Sequence, residues 1–302
     1  MLIEIFYWLV NMSITASIAG IIICLLGKIR TLPRRIVNLL WLIPLIRFWI
    51  PFGINSKWSL LSILLKSSVK TVPVPSEISA LSMTNAVQAA DTYFPVSYKT
   101  ILLEKIFFFS SILWVTIVVA LLLFVIIGYS TAKAEAKSSI HLFDNIYISD
   151  KVSSPASYGI FKTIILLPKT YCPEEMTFIL AHEKAHQRRK DNLWRLVALV
   201  TVCVHWFNPI AWLFFKSFLE SLELACDESV LSRYGESQKK AYASILLNCA
   251  EAQSIFSSDF GGARIRPRLS YILSYRNLSL MSLAAFLMLA IAIGYVLLTN
   301  AK

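Results

Sequence analysis

The stretch His182-Glu183-Lys184-Ala185-His186 places two histidines four residues apart, and two of the chain's 4 histidines lie in it. On an α-helix, residues i and i+4 lie one above the other on a single face, so both imidazoles can reach one metal ion. Zinc binds neutral imidazole nitrogen readily, and Glu183 is placed to take a proton from an attacking water. The pattern predicts the helix of a zinc metallopeptidase. The plainer alternative is a surface helix with a chance histidine pair.

A catalytic zinc site needs a third protein ligand, and a later helix offers two candidates. No histidine follows at the HExxHxxGxxH spacing, because Arg189 and Asn192 occupy the glycine and histidine positions. Glu220, Glu223 and Asp227 share a helical face, so one can bind metal while another orients a ligand by a hydrogen bond. The spacing leaves Glu220 and Glu223 open as the third ligand. A solvated acidic face is the alternative, which the apolar neighbours disfavour.

The remaining histidines and cysteines give weaker signals. His205 lies in a long apolar run, which favours a hydrogen-bonded core histidine over a metal ligand or a transition-state donor. The 5 cysteines are scattered and contain no CxxC pair, so neither a disulfide framework nor a thiolate zinc site is predicted. Cys226, near the proposed site, is interpreted as a small buried hydrophobic residue.

The composition indicates an integral membrane protein. The chain has 302 residues, and 57% of them are hydrophobic. Four stretches are long enough to cross about 30 Å of hydrocarbon. The second is the least regular, since it carries Pro44 and Arg47, and the first lacks the basic segment and cleavage site of a signal peptide. The four predicted spans are residues 5–26, 36–52, 106–128 and 278–299.

Basic residues predict the orientation of these spans in the plasma membrane. The loop after the first span is rich in Lys and Arg between positions 28 and 35, which marks it as cytosolic. Counting onward, residues 55–100 and both chain termini lie outside, and residues 131–279 lie inside. The net charge of +11 then reflects this asymmetry and attraction to anionic lipid, so no direct nucleic-acid binding is expected.

These assignments predict a mainly α membrane protein with four transmembrane helices and a cytosolic α+β zinc metallopeptidase domain inserted between the third and fourth. Residues 1–128 hold three spans and an external loop at about 55–100, which is predicted to be irregular with a short helix near 77–90. This loop is either a passive connector or a sensor. Residues 129–277 form the metallopeptidase domain, and residues 278–302 form the fourth span and a short external tail.

Within the metallopeptidase domain, strands are predicted at residues 146–149 and 163–167, and a helix begins at Pro173. The second strand is either core or a free edge for an extended substrate. The interrupted apolar run 193–219 favours two helices hinged at Pro209. Residues 257–268 are either a self-cleavage loop or, more simply, a basic juxtamembrane linker held near anionic lipid.

Six blocks carry a family resemblance, and their order and spacing match across roughly residues 145–250. They are Ile164-Ile-Leu-Leu-Pro168, His182 to His186, Arg189-Lys-Asp191, His205-Trp-Phe-Asn-Pro209 with Trp212, Glu223-Leu-Ala-Cys-Asp227 and Tyr242-Ala-Ser-Ile-Leu-Leu247. Together they resemble the membrane-embedded metallopeptidases of the BlaR/MecR type, whose best-known members are β-lactam-sensing receptors. The four-span layout is also similar to that family.

The resemblance implies a gluzincin-like site with one zinc ion per chain. Glu183 would be the general base, and His182, His186 and Glu223 the metal ligands. Asp227 and Asp191 would hydrogen-bond to the metal ligands and orient them, without binding the metal themselves. The implied partners are the lipid bilayer and a protein substrate, a cytosolic transcriptional repressor or the chain itself, with a homodimer plausible by resemblance alone.

One departure from that family concerns the signal. Its receptors continue after the fourth span into an extracellular penicillin-binding domain, whereas this sequence stops at Lys302. We therefore expect a short form whose signal comes from the external loop, a partner or the membrane. Two other functions remain open: an HtpX-like membrane quality-control protease, which the block from His205 to Pro209 disfavours, and a non-enzymatic transducer with structural zinc, which Glu183 disfavours.

Overall fold

The computed structural model is mainly helical, with one small four-stranded sheet. It describes residues 2–29, 32–50, 55–56, 59, 101–150, 152, 154–168, 173–251, 265–276 and 279–301. The α-helices are α1 (Leu2–Gly27), α2 (Arg34–Leu40), α3 (Leu42–Trp49), α4 (Ile101–Lys137), α5 (Pro173–Arg189), α6 (Asp191–Val204), α7 (Pro209–Tyr234), α8 (Lys239–Glu251), α9 (Ile265–Ser274) and α10 (Leu280–Leu298). The strands are β1 (Asn55–Ser56), β2 (Ile140–Phe143), β3 (Ile146–Ile148), β4 (Ala156–Tyr158), β5 (Ile164–Leu167) and β6 (Asn300–Ala301).

Three of the four predicted spans correspond to single long apolar helices. Within the described residues, Leu2–Gly27, Lys105–Thr131 and Met281–Leu298 are long and apolar enough to cross a membrane. The second predicted span is instead two short helices, α2 and α3, which meet at Trp41. Pro44 has no N–H to donate to the carbonyl four residues earlier, which explains an interruption at this point.

Arg47, a charged residue in an apolar segment, hydrogen-bonds to the backbone at the end of α10. Its side chain is buried on α3 and donates from Nε to the carbonyl of Leu297, 3.0 Å away, and from Nη2 to that of Thr299, 2.8 Å away. These carbonyls belong to the end of α10, where backbone acceptors lack intrahelical partners and the helix dipole favours a cation. Arg47 therefore joins α3 to the last candidate span.

Helices α6 and α7 form a hairpin hinged before Pro209, as the sequence predicts. Asn208 caps α7, because its side-chain oxygen accepts from the backbone N–H of Ile210 at 2.9 Å. Its amide also donates to the hydroxyls of Ser13 and Ser17 on α1, at 2.7 and 2.8 Å. The hairpin is thus fixed to the first candidate span by polar contacts.

Close packing reinforces this contact between α1 and α7. Gly20 faces the ring of Phe214, and a Cβ atom at that position would lie 2.1 Å from its Cε2 atom. Phe214 in turn packs against Trp41, with ring centroids 5.8 Å apart. The largest buried cluster lies around this point and contains residues from α1, α2, α3, α6, α7 and α10.

The small sheet has the strand order β2-β3-β5-β4. The two strands predicted from sequence are present as β3 and β5, and they pair in parallel. Strand β5 also pairs with β4 in antiparallel orientation, so both of its sides are occupied. Of the two alternatives left open for this strand, core or a free edge for substrate, the structure therefore supports core. The outer strands of the sheet are β2 and β4. Asn192 on α6 further covers β4, donating at 2.9 Å to the carbonyls of Ser157 and Gly159.

Two predicted segments fall largely or partly outside the described residues. The external loop is described only at residues 55–56 and 59, where β1 pairs with β6 in parallel. Of the basic linker 257–268, residues 265–268 form the first turn of α9, and the rest is outside the described ranges. Helix α9 is docked on the domain, since Ile272 and Tyr275 are buried in a cluster with Val230, Leu231 and Tyr242.

Candidate metal centre

The two histidines of the opening motif face each other on α5. His182 Nε2 and His186 Nε2 lie 3.1 Å apart, and both residues are buried, with 8% and 4% of their surface exposed. The helix begins at Pro173, as predicted, and the four-residue spacing puts both rings on the face that packs against α7. The sequence prediction that both imidazoles converge on one point is borne out by this geometry.

Glu223 on α7 reaches the same point from the opposite side. Its Oε2 atom lies 3.4 Å from His182 Nε2, and its Oε1 atom lies 3.5 Å from His186 Nε2. These three side chains form a group whose potential ligand atoms all lie within 4.8 Å of one another. Among the described residues, no hydrogen bond or ion pair joins Glu220 to either histidine. The structure thus favours Glu223 where the spacing left the choice open.

Asp191 hydrogen-bonds to Nδ1 of His186, the ring nitrogen on the side away from His182. Helix α5 ends at Arg189, Lys190 adopts a left-handed conformation with φ of 55°, and the chain turns so that Asp191 returns beneath His186. The Asp191 Oδ2 atom lies 2.8 Å from His186 Nδ1, and Asp191 is only 1% exposed. An ionised carboxylate can only accept, so Nδ1 carries the proton and Nε2 keeps its lone pair for a metal.

His182 is fixed in the same way, through an intervening tyrosine. Tyr242 on α8 donates from its hydroxyl to Asp227 Oδ1 at 2.6 Å, and the same hydroxyl lies 2.9 Å from His182 Nδ1. Because the tyrosine proton is committed to Asp227, His182 Nδ1 is the donor to the hydroxyl oxygen. His182 can therefore also present the lone pair of Nε2, and Asp227 lies close to it, with Oδ1 3.4 Å from His182 Nδ1.

Two arginines that were not predicted as site residues contact the carboxylates. Arg268 on α9 donates from Nε and Nη2 to the two oxygens of Asp227, at 2.8 and 2.7 Å. Its Nη1 lies 3.2 Å from Glu223 Oε2. Arg195 on α6 contacts Glu223 Oε1 at 2.6 Å, with 35% of its side chain exposed against 11% for Arg268. The apolar spacing of Leu269, Ile272 and Tyr275 after Arg268 is that of an amphipathic helix, but it gives no sign that Arg268 reaches the site.

Opposite charges in this cluster stabilise each other, as the pKa values of its carboxyl groups and of His182 indicate. Burial raises the pKa of the Asp227 carboxyl, but the Arg268 guanidinium outweighs it and holds that pKa well below its usual range. Burial likewise raises the pKa of Glu223, and His186 and Arg268 bring it well below its usual value. Burial lowers the pKa of His182, yet Asp227 and Glu223 raise it above its usual value. Acceptors that stabilise positive charge here also favour a metal cation.

Glu183 is buried beside the first histidine. It is 7% exposed, and its Oε2 atom has no hydrogen-bond partner within the described part of the chain. An orphaned buried carboxylate oxygen costs free energy, so such a group indicates a functional use. A general base acting on water has this requirement, because its oxygen must be available to accept a proton.

Cys226 contacts residues of the candidate metal centre, whereas His205 contacts the backbone of α3. Cys226 is buried, as interpreted from sequence, but its Sγ atom also lies 3.2 Å from His186 Nδ1 and 3.3 Å from Asp191 Oδ2. Burial raises the pKa of this thiol. His205 lies at the end of α6 with Nε2 3.1 Å from the carbonyl of Phe48. No contact among the described residues joins His205 to the metal cluster, so its role as a transition-state donor stays a prediction.

The donor set fits zinc. Two imidazoles with protonated Nδ1 atoms and one ionised carboxylate present three nitrogen and oxygen ligands to a single point, which is a common arrangement in catalytic zinc sites. The two Nε2 atoms lie only 3.1 Å apart, which is close enough for both to bind one ion. A fourth ligand position would remain for water or substrate.

Comparisons with known proteins identify the family of the chain. A family model described as BlaR1 peptidase M56 matches residues 7–269. The chain is 26% identical over 176 residues to "Regulatory protein BlaR1" of Bacillus licheniformis, a match that covers 53% of this chain and 29% of that protein. It is 24% identical over 144 residues to "Methicillin resistance mecR1 protein" of Staphylococcus aureus, covering 44% of this chain and 25% of that protein. The matches thus span less than a third of each relative's length. The family model covers most of the chain, and on that ground the chain belongs to the BlaR1 peptidase M56 family.

Proposed function

We propose that this protein is an integral-membrane zinc metalloendopeptidase with one zinc ion per chain. The observation that carries the proposal is the convergence of His182, His186 and Glu223, whose ligand atoms all lie within 4.8 Å of one another. Membership of a peptidase family supports the reaction class. The orphaned oxygen of Glu183 beside this point supports catalysis over a structural site, which needs no base.

The chain's own residues have separate tasks in peptide hydrolysis. When bound, zinc would acidify a water molecule and polarise the scissile carbonyl. Glu183 takes the proton of the attacking water and passes it to the leaving amine. Asp191 and the pair Tyr242–Asp227 hold the two imidazoles in the tautomer that binds metal through Nε2. Buried surroundings exclude bulk water from these hydrogen bonds and so strengthen them.

The substrate class we propose is a regulatory protein. Two relatives are named as a regulatory protein and as a methicillin resistance protein, which supports a role in an antibiotic or cell-wall stress response. We propose signal-dependent cleavage of a cytosolic transcriptional repressor, of this chain itself, or of both. Residues 257–268, of which 265–268 form the first turn of α9, are the self-cleavage candidate.

The membrane arrangement is part of the same proposal. Three helices have the length and composition of spans. Helices α2 and α3 together would provide the second crossing, with both termini outside and the metallopeptidase domain in the cytosol of the cell that makes it. The polar contacts of Asn208 with Ser13 and Ser17 support a location of the α6–α7 hairpin beside the first span.

Glu183→Gln tests the proposal, since it keeps the shape of the side chain and removes the base. New protein N-termini in membranes and cytosol would be surveyed by mass spectrometry under cell-wall stress, in wild type and variant. Loss of a general base typically lowers the rate about 10²- to 10⁴-fold. We expect cleavage to be lost while the purified variant retains zinc.

A matched control is Lys184→Gln, which changes an exposed neighbour on the same helix and should cleave normally. Cleavage by Glu183→Gln at the wild-type rate would contradict the assignment of the base. Normal signalling by a zinc-loaded Glu183→Gln protein would instead support the non-enzymatic transducer. Cuts spread over many unfolded membrane proteins would support the quality-control protease.

A further inference from the structure

The side chain of Arg268 contacts two carboxylates at the metal centre, those of Asp227 and Glu223. All three guanidinium nitrogens face carboxylates: Nε and Nη2 bind the two oxygens of Asp227, and Nη1 lies against Glu223. Its Nη2 atom also lies 3.5 Å from His182 Nε2. A fork that binds one carboxylate through two bonds fixes direction as well as charge, which an ammonium group cannot do.

The contacts of Arg268 reach two of the three metal ligands. Arg268 contacts Glu223 directly. It lies at 3.5 Å from His182 Nε2 and also reaches His182 through Asp227 and Tyr242, because Asp227 accepts the tyrosine proton and leaves the tyrosine oxygen to accept from His182. Without Arg268, Asp227 would be an anion with 0% exposure whose remaining donor contacts are Tyr242 and His182.

Helix α9 holds Arg268 in this position. Tyr271, one turn later, donates to Glu228 Oε2 on α7 at 3.0 Å. Ile272 and Tyr275 are buried in a cluster with residues of α5, α7 and α8. Glu228 also accepts from the backbone N–H of Arg34 at 2.5 Å, at the start of α2. Arg268 thus lies on a docked helix rather than on a free linker.

We propose that Arg268 is a positioning residue of the metal centre, which orients Glu223 directly and His182 through Asp227. The proposal rests on the proposed function, because it concerns ligands of the zinc that function requires. It adds that the centre is completed by α9, a segment that lies shortly before α10, the last candidate span. Metal affinity therefore depends on where this C-terminal segment sits.

The test measures zinc affinity by competition with a chelator in the full-length protein, with Arg268→Ala and Arg268→Lys. Removing partners that orient ligands typically costs about 10- to 100-fold in metal affinity. We expect a zinc Kd raised about 10- to 100-fold for Arg268→Ala, and a smaller rise for Arg268→Lys, which keeps the charge and loses the fork. Arg266→Ala changes an exposed arginine on the same helix and should bind zinc as the wild type does.

Two further measurements separate positioning from general support of the fold. The visible spectrum of the Co²⁺-loaded protein should change in both Arg268 variants and not in Arg266→Ala, since it reports ligand geometry. If Arg268→Ala does not fold, the double variant Arg268→Gln with Asp227→Asn removes both charges of the pair. Its loss of zinc affinity should be smaller than the sum of the two single losses.

Unchanged zinc affinity and an unchanged cobalt spectrum in Arg268→Lys and Arg268→Ala would overturn the proposal, as would additive losses in the double variant. Absence of Glu183-dependent cleavage would overturn the proposed function and leave this result standing, because its readout is metal binding and not proteolysis.

Discussion

Tyr242→Phe removes a single oxygen atom from the contact chain behind the metal centre. That hydroxyl is buried, with Tyr242 only 2% exposed, and it makes two hydrogen bonds, at 2.6 Å to Asp227 and 2.9 Å to His182. The phenylalanine ring fills the same space and keeps the stacking contact with Phe178, whose ring centroid is 5.8 Å away. The variant therefore tests the hydrogen bonds and not the packing.

The expected magnitude follows from what replaces the lost bonds. A hydrogen bond to a charged group contributes about 1.5–3 kcal/mol, and a neutral one about 0.5–1.5 kcal/mol. His182 Nδ1 already lies 3.4 Å from Asp227 Oδ1, so a small movement lets these two atoms bond directly and recovers part of the loss. We expect the free energy of unfolding to fall by about 2 kcal/mol. The zinc Kd should rise about 10-fold, at the lower end of the range for partners of metal ligands.

The assay is chelator competition for zinc, with thermal unfolding of the purified protein in detergent as the second readout. Tyr234→Phe is the matched control, because Tyr234 packs on the same Phe178, 5.0 Å between ring centroids, and no described contact joins it to the ligands. Zinc affinity and a thermal midpoint that both equal the wild-type values in Tyr242→Phe would refute the role given to this hydroxyl.

Two further predictions concern the third ligand and the helix contact. Glu223→Ala should lose zinc at micromolar chelator while Glu220→Ala keeps it; the reverse pattern, read as bound zinc per chain, would move the ligand role to Glu220. Gly20→Ala should lower the thermal midpoint, because overpacking costs about 1–3 kcal/mol and its Cβ would lie 2.1 Å from Phe214. Gly27→Ala on the same helix meets its nearest atom at 3.6 Å and should unfold near the wild-type temperature, so equal midpoints for both variants would argue against close packing at Gly20.

The part of the site that lies on one helix could be predicted from sequence. The four-residue spacing of His182 and His186 fixes their common face by helix geometry alone, and Pro173 marks the start of that helix. The choice between Glu220 and Glu223 could not be made in this way. Both lie on α7, and which one reaches α5 depends on how the two helices pack, a property of tertiary structure rather than of spacing.

Tyr242 and Arg268 show the same limit more strongly. They lie 60 and 86 residues from His182, so no local pattern connects them to it. Arg268 follows Gly261, Gly262 and other arginines, a composition typical of a solvated linker, and only its burial against Asp227 reveals a different use. The sheet was predicted only in part: β4, Ala156-Ser157-Tyr158, lacks the branched apolar residues by which β3 and β5 were recognised.

Helix α7 runs without interruption through 26 residues, which corresponds to about 39 Å. Near its start, Asn208 and Phe214 hold it to α1, and further along it carries Glu223, Asp227 and Glu228. A misplacement of about 1 Å can cost a catalytic site roughly 100-fold in rate. We therefore expect the position of Glu223 to depend on how α7 packs against α1, far from the site, as well as on the contacts at the site itself.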